Sequence, residues 1–245
     1  MATDHILASD DSAPAERCFA LDAVTAVIVT FNSAHCAEAL GAQLADWPHV
    51  IVVDNGSADD TPARIRAALP QAQVLELGEN RGFGAANNAA LHQVRTPFAL
   101  LMNPDCAVMA ADAQALLASM ADWPHAAIMA PQLVGGDGGK QVNYGWVRHL
   151  WASKGPAAEG VTCVGNACGA AMLLRLNAMP TRDWFDTRFF LYYEDEDLCL
   201  RLLQAGKPVL IEPSVHVAHA NRGSVRGPRP LSVEYGRGYH HARSK

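Results

Sequence analysis

The stretch "AVTAVIVTFN", residues 23–32, is apolar and β-branched until it breaks into a polar turn. A run of that kind fits a strand buried on both faces of a parallel sheet. The pattern returns at "HVIVVDNGS", residues 49–57, and "CAEALGAQLADW" between them has helical spacing. In "DDTPARIRAAL", Asp60 or Thr61 can cap a helix, Pro62 suits its first position, and Ala, Ile and Leu form one face. "AQVLELG" reads as a third strand, "FGAANNAALHQV" as a helix, and "PFALLMNPD", residues 97–105, as a fourth strand. Alternation of strand and helix predicts a parallel sheet covered on both faces, with ligands beyond the carboxyl ends of its strands. Those ends read Thr30-Phe31-Asn32, Asp54-Asn55-Gly56 and Asn103-Pro104-Asp105. Three polar strand ends therefore meet at one crevice edge.

Beyond Ala107 come a helix ("ADAQALLASMADW") and a short strand ("AAIMAPQLV"). The Gly-rich, aromatic-bearing "GGDGGKQVNYGWVRHLWASKGPAAEG" has no clear period and reads as a long loop, a kind usually functional or mobile. "GNACGAAMLLRL" returns to strand character, "DLCLRLLQAG" to a helix stopped by Gly206, and "KPVLIEPSVHVAHA" to a strand. With 245 residues and no internal repeat or low-complexity linker, one α/β domain is the simplest reading.

Composition narrows the class. Half the residues are hydrophobic and 18% charged, ordinary for a globular protein, and no apolar run reaches the roughly 18 residues a membrane helix needs. Residues 1–22 lack the basic flank and apolar core of an export signal and read as a disordered lead. The six cysteines are then expected to be reduced thiols in a cytoplasmic protein. Cys163 and Cys168 have no second pair nearby to complete a zinc site. A net charge of −6 argues against nucleic acid as a partner. Residues 225–245 are nonetheless basic, with Arg226, Arg229, Arg237, Arg243 and Lys245 against Glu234. That tail is either a solvated end or a peripheral contact for an anionic membrane or a phosphate-bearing, lipid-linked acceptor, each cation worth about 1 kcal/mol near such a surface.

Several residues carry two readings. Asp54 in "DNGS" is a turn former or a carboxylate that accepts a hydrogen bond from a nucleotide base. Asp105 caps the next turn or holds a hard divalent cation, which favours carboxylate oxygens together with phosphates. With neither a P-loop nor GxGxxG, a diphosphate would need that cation for most of its countercharge. His219 in "VHVAHA" is structural unless it meets Asp105 in space. The run Glu194, Asp195, Glu196 and Asp197 complements a helix N-terminus, and Asp197 and Arg201 are spaced for an ion pair.

Seven segments in this order resemble the family 2 glycosyltransferases of the GT-A fold, in particular the bacterial rhamnosyltransferase-like branch. They are "VTAVIVTFNS", "VIVVDNGSADDT", "ENRGFGAANNAAL", "LLMNPD", "GAAMLLR", "FDTRFFLYYEDEDLCLRLLQAG" and "PSVHVAHANRGS", spanning residues 24–224. The resemblance implies a single Rossmann-like nucleotide-binding domain over 23–224, its mostly parallel central sheet flanked by helices. It divides into a nucleotide-sugar half (23–108) and an acceptor-binding half (109–224). Thr30, Phe31 and Asn32 would line base and ribose, and Asp54 would bond the base. Asn80, Arg81, Gly82 and Asn88 fall in the segment that closes over the nucleotide. Asn103 and Asp105 stand where the family has Asp-x-Asp. Asp105 would bind Mg²⁺ or Mn²⁺, and His219 would complete the metal shell. Asn103 departs from the pattern, since it can hydrogen-bond but brings no charge. Asp195 matches the catalytic base, with Glu194 beside it on the acceptor side of the crevice. Glu196 and Asp197 are assigned to the helix that holds them.

The implied reaction is inverting transfer of a sugar, rhamnose from dTDP-rhamnose in the first instance, from a nucleoside diphosphate to a saccharide or lipid-linked glycan. Its setting would be bacterial surface polysaccharide synthesis at the cytoplasmic face of the membrane. Crowding by Glu194, Glu196 and Asp197 is expected to raise the pKa of Asp195 toward neutrality. Two other readings compete: a non-catalytic sugar-nucleotide-binding protein on the same fold, and a transferase using UDP-hexoses. Sugar-phosphate nucleotidyltransferases share such a core, but their first strand is followed by a Gly-rich loop bearing Arg and Lys, which "TFNSAHCAE" lacks.

Overall fold

A computed structural model describes residues 20–146 and 157–220, with 223 and 239. Most of the basic tail and of the N-terminal lead therefore lies outside the described residues, although Leu21 and Asp22 of the expected lead form a 3₁₀ turn. In chain order the elements are β1 (Val24–Thr30), α1 (Ala37–Leu44), β2 (Val50–Asp54), α2 (Thr61–Ala68), β3 (Gln73–Glu76) and α3 (Phe83–Leu91). Then follow β4 (Phe98–Met102), β5 (Cys106–Ala107), α4 (Ala110–Ala121), β6 (Ile128–Val134) and three two-residue strands, β7 (Tyr144–Gly145), β8 (Thr162–Cys163) and β9 (Asn166–Ala167). β10 (Ala171–Arg175), α5 (Glu194–Gln204) and β11 (Val209–His219) complete them.

One sheet runs in the order β3-β2-β1-β4-β10-β6-β11-β5, with β8 also on β11 and a separate β7–β9 pair. Its first four strands are parallel, as the alternating sequence predicts. β10 then inserts antiparallel between β4 and β6, and β6 and β11 are parallel again. The sheet is thus mixed, and strands from both sequence halves share it.

Side chains alternate across the sheet with period two. Val24, Ala26 and Ile28 face α1, α2 and α4, in a core that holds Trp47, Ile65 and Leu116. Val27 and its neighbours Ile51 and Val53 face α3 and α5, over Trp184, Leu91 and Leu198. Trp47 and Trp184 are almost fully buried, and truncating either to alanine would cost roughly 3–5 kcal/mol. Register places the crevice: Thr30 pairs with Asp54 and Ile28 with Met102, so the carboxyl ends of β1, β2 and β4 come out side by side. Among the described residues no helix is long and apolar enough to cross a membrane.

Candidate active site

At the β1–β2 end the polar groups mostly hold one another. The Thr30 hydroxyl donates to Val53 O (3.2 Å). Asn32 adopts a left-handed backbone (φ 51°), and its Oδ1 accepts the Ala58 N–H at 2.8 Å. Asp54 accepts the Ser57 N–H (3.0 Å) and hydroxyl (2.5 Å), the bonds its turn-forming reading requires. Asn55, which sequence reading did not single out, is buried and fixes the next segment. It accepts from Arg81 N–H at 2.9 Å and donates to Asn80 Oδ1 at 2.9 Å and Gly82 O at 3.3 Å. Gly56 (φ 77°) lies so close to Glu79 that a Cβ would sit 2.5 Å from its carbonyl carbon, so this crossing needs glycine.

Beyond these strand ends opens a cleft of about 330 Å³. Phe31, Asn80 and Gly82 line one side. The β4 end contributes Asn103 and Asp105, β11 contributes His219, and α5 contributes Glu194 and Asp195. The described lining does not include Thr30, Asn32, Asp54, Arg81 or Asn88. Arg81 is exposed and paired with Glu79 at 3.4 Å. Asn88 is buried below the cleft, where its amide both donates to and accepts from the Phe185 backbone (2.8 and 2.9 Å).

Asp105 and His219 meet because β5 pairs with the last residues of β11, Cys106 opposite His219. His219 Nε2 lies 3.7 Å from Asp105 Oδ1, and candidate ligand atoms of Asp105, Cys106 and His219 fall within 4.8 Å of one another. Asp105 Oδ2 accepts the Gly223 N–H (2.9 Å), whereas Oδ1 is buried with no hydrogen-bond partner among the described residues. Burial lowers the His219 pKa, partly offset by Asp105, which favours the neutral ring that a metal requires. The Cys106 thiol donates to Ala170 O (3.2 Å), and burial holds its pKa well above the ordinary value, so it stays a thiol. An orphaned carboxylate oxygen facing a neutral imidazole is a donor set that fits a hard divalent cation. A third group, unmarked by any motif, is Gln141, 3.0 Å from His219 Nδ1.

Across the cleft, two consecutive left-handed residues, Tyr192 (φ 70°) and Tyr193 (φ 69°), turn the chain into α5. The helix thereby points its N-terminus at the cleft. Asp195 Oδ2 accepts the Gly169 N–H at 2.8 Å and Oδ1 the Glu196 N–H at 3.0 Å. Its pKa is raised all the same, and the cause corrects the sequence expectation: burial lifts it, rather than crowding by its acidic neighbours. The influence runs the other way. Burial first and the Asp195 charge second push Glu194 up to about 8 and Glu196 to about 7. Glu194 Oε2 and Glu196 Oε2 have no hydrogen-bond partner among the described residues. Glu196, expected to be structural, does not line the cleft but feels the Asp195 charge. Asp197 keeps its expected role, bonding Arg201 at 2.7 Å while Arg201 also donates to Trp184 O. At the far end, Gly206 (φ 67°) stops the helix in a Schellman turn, with bonds from Gly206 N–H to Leu203 O and Lys207 N–H to Leu202 O. The two walls are stitched where Phe83 N–H donates to Phe190 O (3.0 Å), a crossing so close that any Cβ on Gly82 would strike Phe190 O.

This arrangement matches known proteins in both sequence and shape. The family model described as Glycosyl transferase family 2 matches residues 25–177. An N-acetylglucosaminyl-diphospho-decaprenol L-rhamnosyltransferase of Mycobacterium tuberculosis is 28% identical over 201 residues, covering 69% of this chain and 66% of the relative. A pre-mycofactocin glycosyltransferase of the same species is 30% identical over 208 residues, covering 83% of this chain and 44% of the relative. The chain thus spans about two thirds of the length of the first and less than half of the second. Among solved structures, the mannosyltransferase PcManGT of Pyrobaculum calidifontis, in complex with GDP-Man and Mn²⁺, superposes with a TM-score of 0.63 at 19% identity, covering 91% of this chain and 62% of that one. TarS 1-349 of S. aureus, in complex with UDP, gives a TM-score of 0.60 at 17% identity, covering 80% of this chain and 60% of that one. The fold is GT-A, a mixed α/β architecture with a curled central sheet between helices. With more than half of its residues inside the family model, the chain belongs to glycosyl transferase family 2.

Proposed function

We propose that this glycosyltransferase moves a sugar from a nucleoside diphosphate to a hydroxyl of a saccharide or lipid-linked glycan, with inversion and with Mg²⁺ or Mn²⁺ bound. The observation that carries the proposal is the opposition, across one cleft, of the Asp105–His219 couple and the carboxyl group of Asp195. Asp105 and His219 would hold the cation, which when bound stabilises the charge gathering on the leaving diphosphate. Asn103 beside them offers a neutral amide to the diphosphate. Asp195 takes the proton of the acceptor hydroxyl as its oxygen bonds to the anomeric carbon and the bond from that carbon to the diphosphate breaks. General-base help of this kind is worth roughly 10²–10⁴-fold. Burial raises the Asp195 pKa, which makes the carboxylate a stronger base for that proton. Glu194, held protonated at neutral pH, can donate a hydrogen bond toward the acceptor without adding charge.

In this reading residues 23–108 form the nucleotide-sugar half, and 109–224 bring the acceptor side. Phe31, Asn80 and Gly82 contact the donor directly. Thr30, Asn32, Asp54, Arg81 and Asn88 shape the strand end and the covering segment, Asp54 also offering its carboxylate to the base. The proposed donor is dTDP-rhamnose, supported by the name of the mycobacterial rhamnosyltransferase relative. The same name, with its diphospho-decaprenol, supports a lipid-linked acceptor in surface polysaccharide synthesis, met at the cytoplasmic membrane face with help from the basic tail. A second donor class, UDP- or GDP-hexoses, is favoured by the GDP-Man and UDP held by the two structural neighbours. Calorimetric and thermal-shift titration against dTDP-rhamnose, UDP-glucose, UDP-N-acetylglucosamine and GDP-mannose, with and without Mn²⁺ or Mg²⁺, tests the proposal. The expected result is cation-dependent binding of one donor, and no response to any donor would overturn it.

A further inference from the structure

We infer that Gln141 is a positioning residue for the cation couple: its amide decides which nitrogen of His219 carries the hydrogen, and so turns the Nε2 lone pair toward Asp105. The inference rests on the proposed cation role of Asp105 and His219 and adds a residue to it. Gln141 Nε2 lies 2.8 Å from the backbone oxygen of His219. A carbonyl oxygen can only accept, so the atom facing it is the amide NH₂. The other end of the same side chain, 3.0 Å from His219 Nδ1, is then the oxygen, which can only accept. His219 Nδ1 must therefore bear the hydrogen. A neutral imidazole has one N–H, so Nε2 is left with a lone pair. That lone pair faces Asp105 Oδ1 at 3.7 Å, beyond hydrogen-bond range and itself without a partner among the described residues. Two facing acceptors form a stable couple only with a positive charge between them.

Gln141 is itself held from behind. Its N–H donates to Leu133 O (2.9 Å), and its carbonyl accepts from Gln132 Nε2 (2.9 Å). Gln132 Nε2 also donates to Asn143 Oδ1 (2.8 Å), and Asn143 Nδ2 to Pro131 O (2.9 Å). A ladder of amides, Gln132 and Asn143 buried and Gln141 half-buried, thus ties the Gly-rich segment to β6, and its last rung sets the histidine. The described residues 135–146 of that segment are a loop with one two-residue strand, β7, and they support the site through these bonds. Outer partners of this kind set the tautomer of a ligand histidine, and losing one typically weakens metal binding 10–100-fold.

The test uses the full chain, with Mn²⁺ as the probe, alone and with UDP, followed by calorimetry and electron paramagnetic resonance. Histidine tautomers are read in parallel by long-range ¹H–¹⁵N correlation. Wild type is expected to show His219 as the Nδ1–H form, and Gln141→Leu to bind Mn²⁺ about 10–100-fold more weakly and lose that preference. Gln141→Glu, which keeps an acceptor for Nδ1–H, should stay within a few-fold of wild type. A residue that merely ties the loop to β11 would alter thermal stability in both variants but leave tautomer and affinity alone. Wild-type Mn²⁺ binding undiminished in Gln141→Leu, or an Nε2–H form in wild type, overturns the inference while leaving the cation reading intact. Wild-type binding that Asp105→Asn does not weaken, or its absence, overturns the cation reading and this inference with it. If Gln141→Leu does not fold, the wild-type tautomer and the Gln141→Glu affinity decide.

Discussion

Glu194 and Glu212 are both buried glutamates, only 5% and 8% exposed, yet the protein treats them in opposite ways. Glu212, at the β11 bulge, accepts from the Ser119 hydroxyl (2.6 Å), the Ser214 hydroxyl (2.6 Å) and the Ser214 N–H (3.1 Å). Burial would raise its pKa, but those bonds outweigh burial and lower it. Glu194, at the head of α5, has a buried oxygen without a partner among the described residues, and its pKa climbs to about 8. The lesson is one of placement. A buried carboxylate that serves the fold is surrounded by donors, whereas Glu194, facing the cleft, is left short of them and keeps its proton within reach of neutral pH.

The largest expected effect tests the cleft side. Asp195→Asn should lower the transfer rate roughly 10²–10⁴-fold, because the amide keeps the shape of the side chain but cannot act as a base. Full activity in that variant would remove Asp195 from the chemistry and collapse the contrast. Glu194→Gln comes next and acts on stability. Below the ordinary value of 4.5 both folded and unfolded Glu194 are protonated, and burial adds no ionic cost. Between 4.5 and about 8 the unfolded chain releases this proton while the folded chain retains it, so wild-type stability falls as pH rises. The variant is spared that loss. Its stability relative to wild type should grow by on the order of 2–4 kcal/mol from pH 4.5 to pH 8, followed by denaturant melts. A pH-independent difference would mean that Glu194 ionises normally. Ser119→Ala probes the opposite case and should cost about 1–2 kcal/mol at pH 7. Here the folded pKa is depressed, so the serine's contribution is present above 4.5 and fades as pH falls through the folded value. A loss that persists unchanged into acid would show that the hydroxyl stabilises through packing instead.

Much of this was legible in the sequence, and what escaped has a common cause. The runs ending at Thr30, Asp54 and Asn103 announce buried strands by their β-branched composition, and their register then had to bring the ends together. Asp197 with Arg201 and the Gly206 stop are local, set by contacts within one helix. Asn55 was visible in "DNGS", but its task is to hold a segment 25 to 27 residues away. Gln141 sits in a stretch without period and meets a partner 78 residues along the chain. Residue order gives no hint of such pairings, because amides carry neither the charge nor the apolar rhythm that makes long-range contacts predictable. The pKa of Asp195 was expected to rise, yet its cause was misassigned. Charge density can be counted in a sequence, whereas the depth of burial depends on Gly169 and the strands around it.

The pairing of Cys106 with His219 also fixes when the site can come into being. The contact joins the first residue of the short strand β5 to the last residue of β11, so nearly half the chain lies in the loop it closes. Closing so long a loop is entropically slow, and only two residue pairs reward it there. On a ribosome the β1–β4 unit has all its strands long before His219 is made, so a growing chain can shape the donor wall while it still lacks the histidine opposite Asp105. Competence then arrives as a late event of folding, with the docking of the final strand.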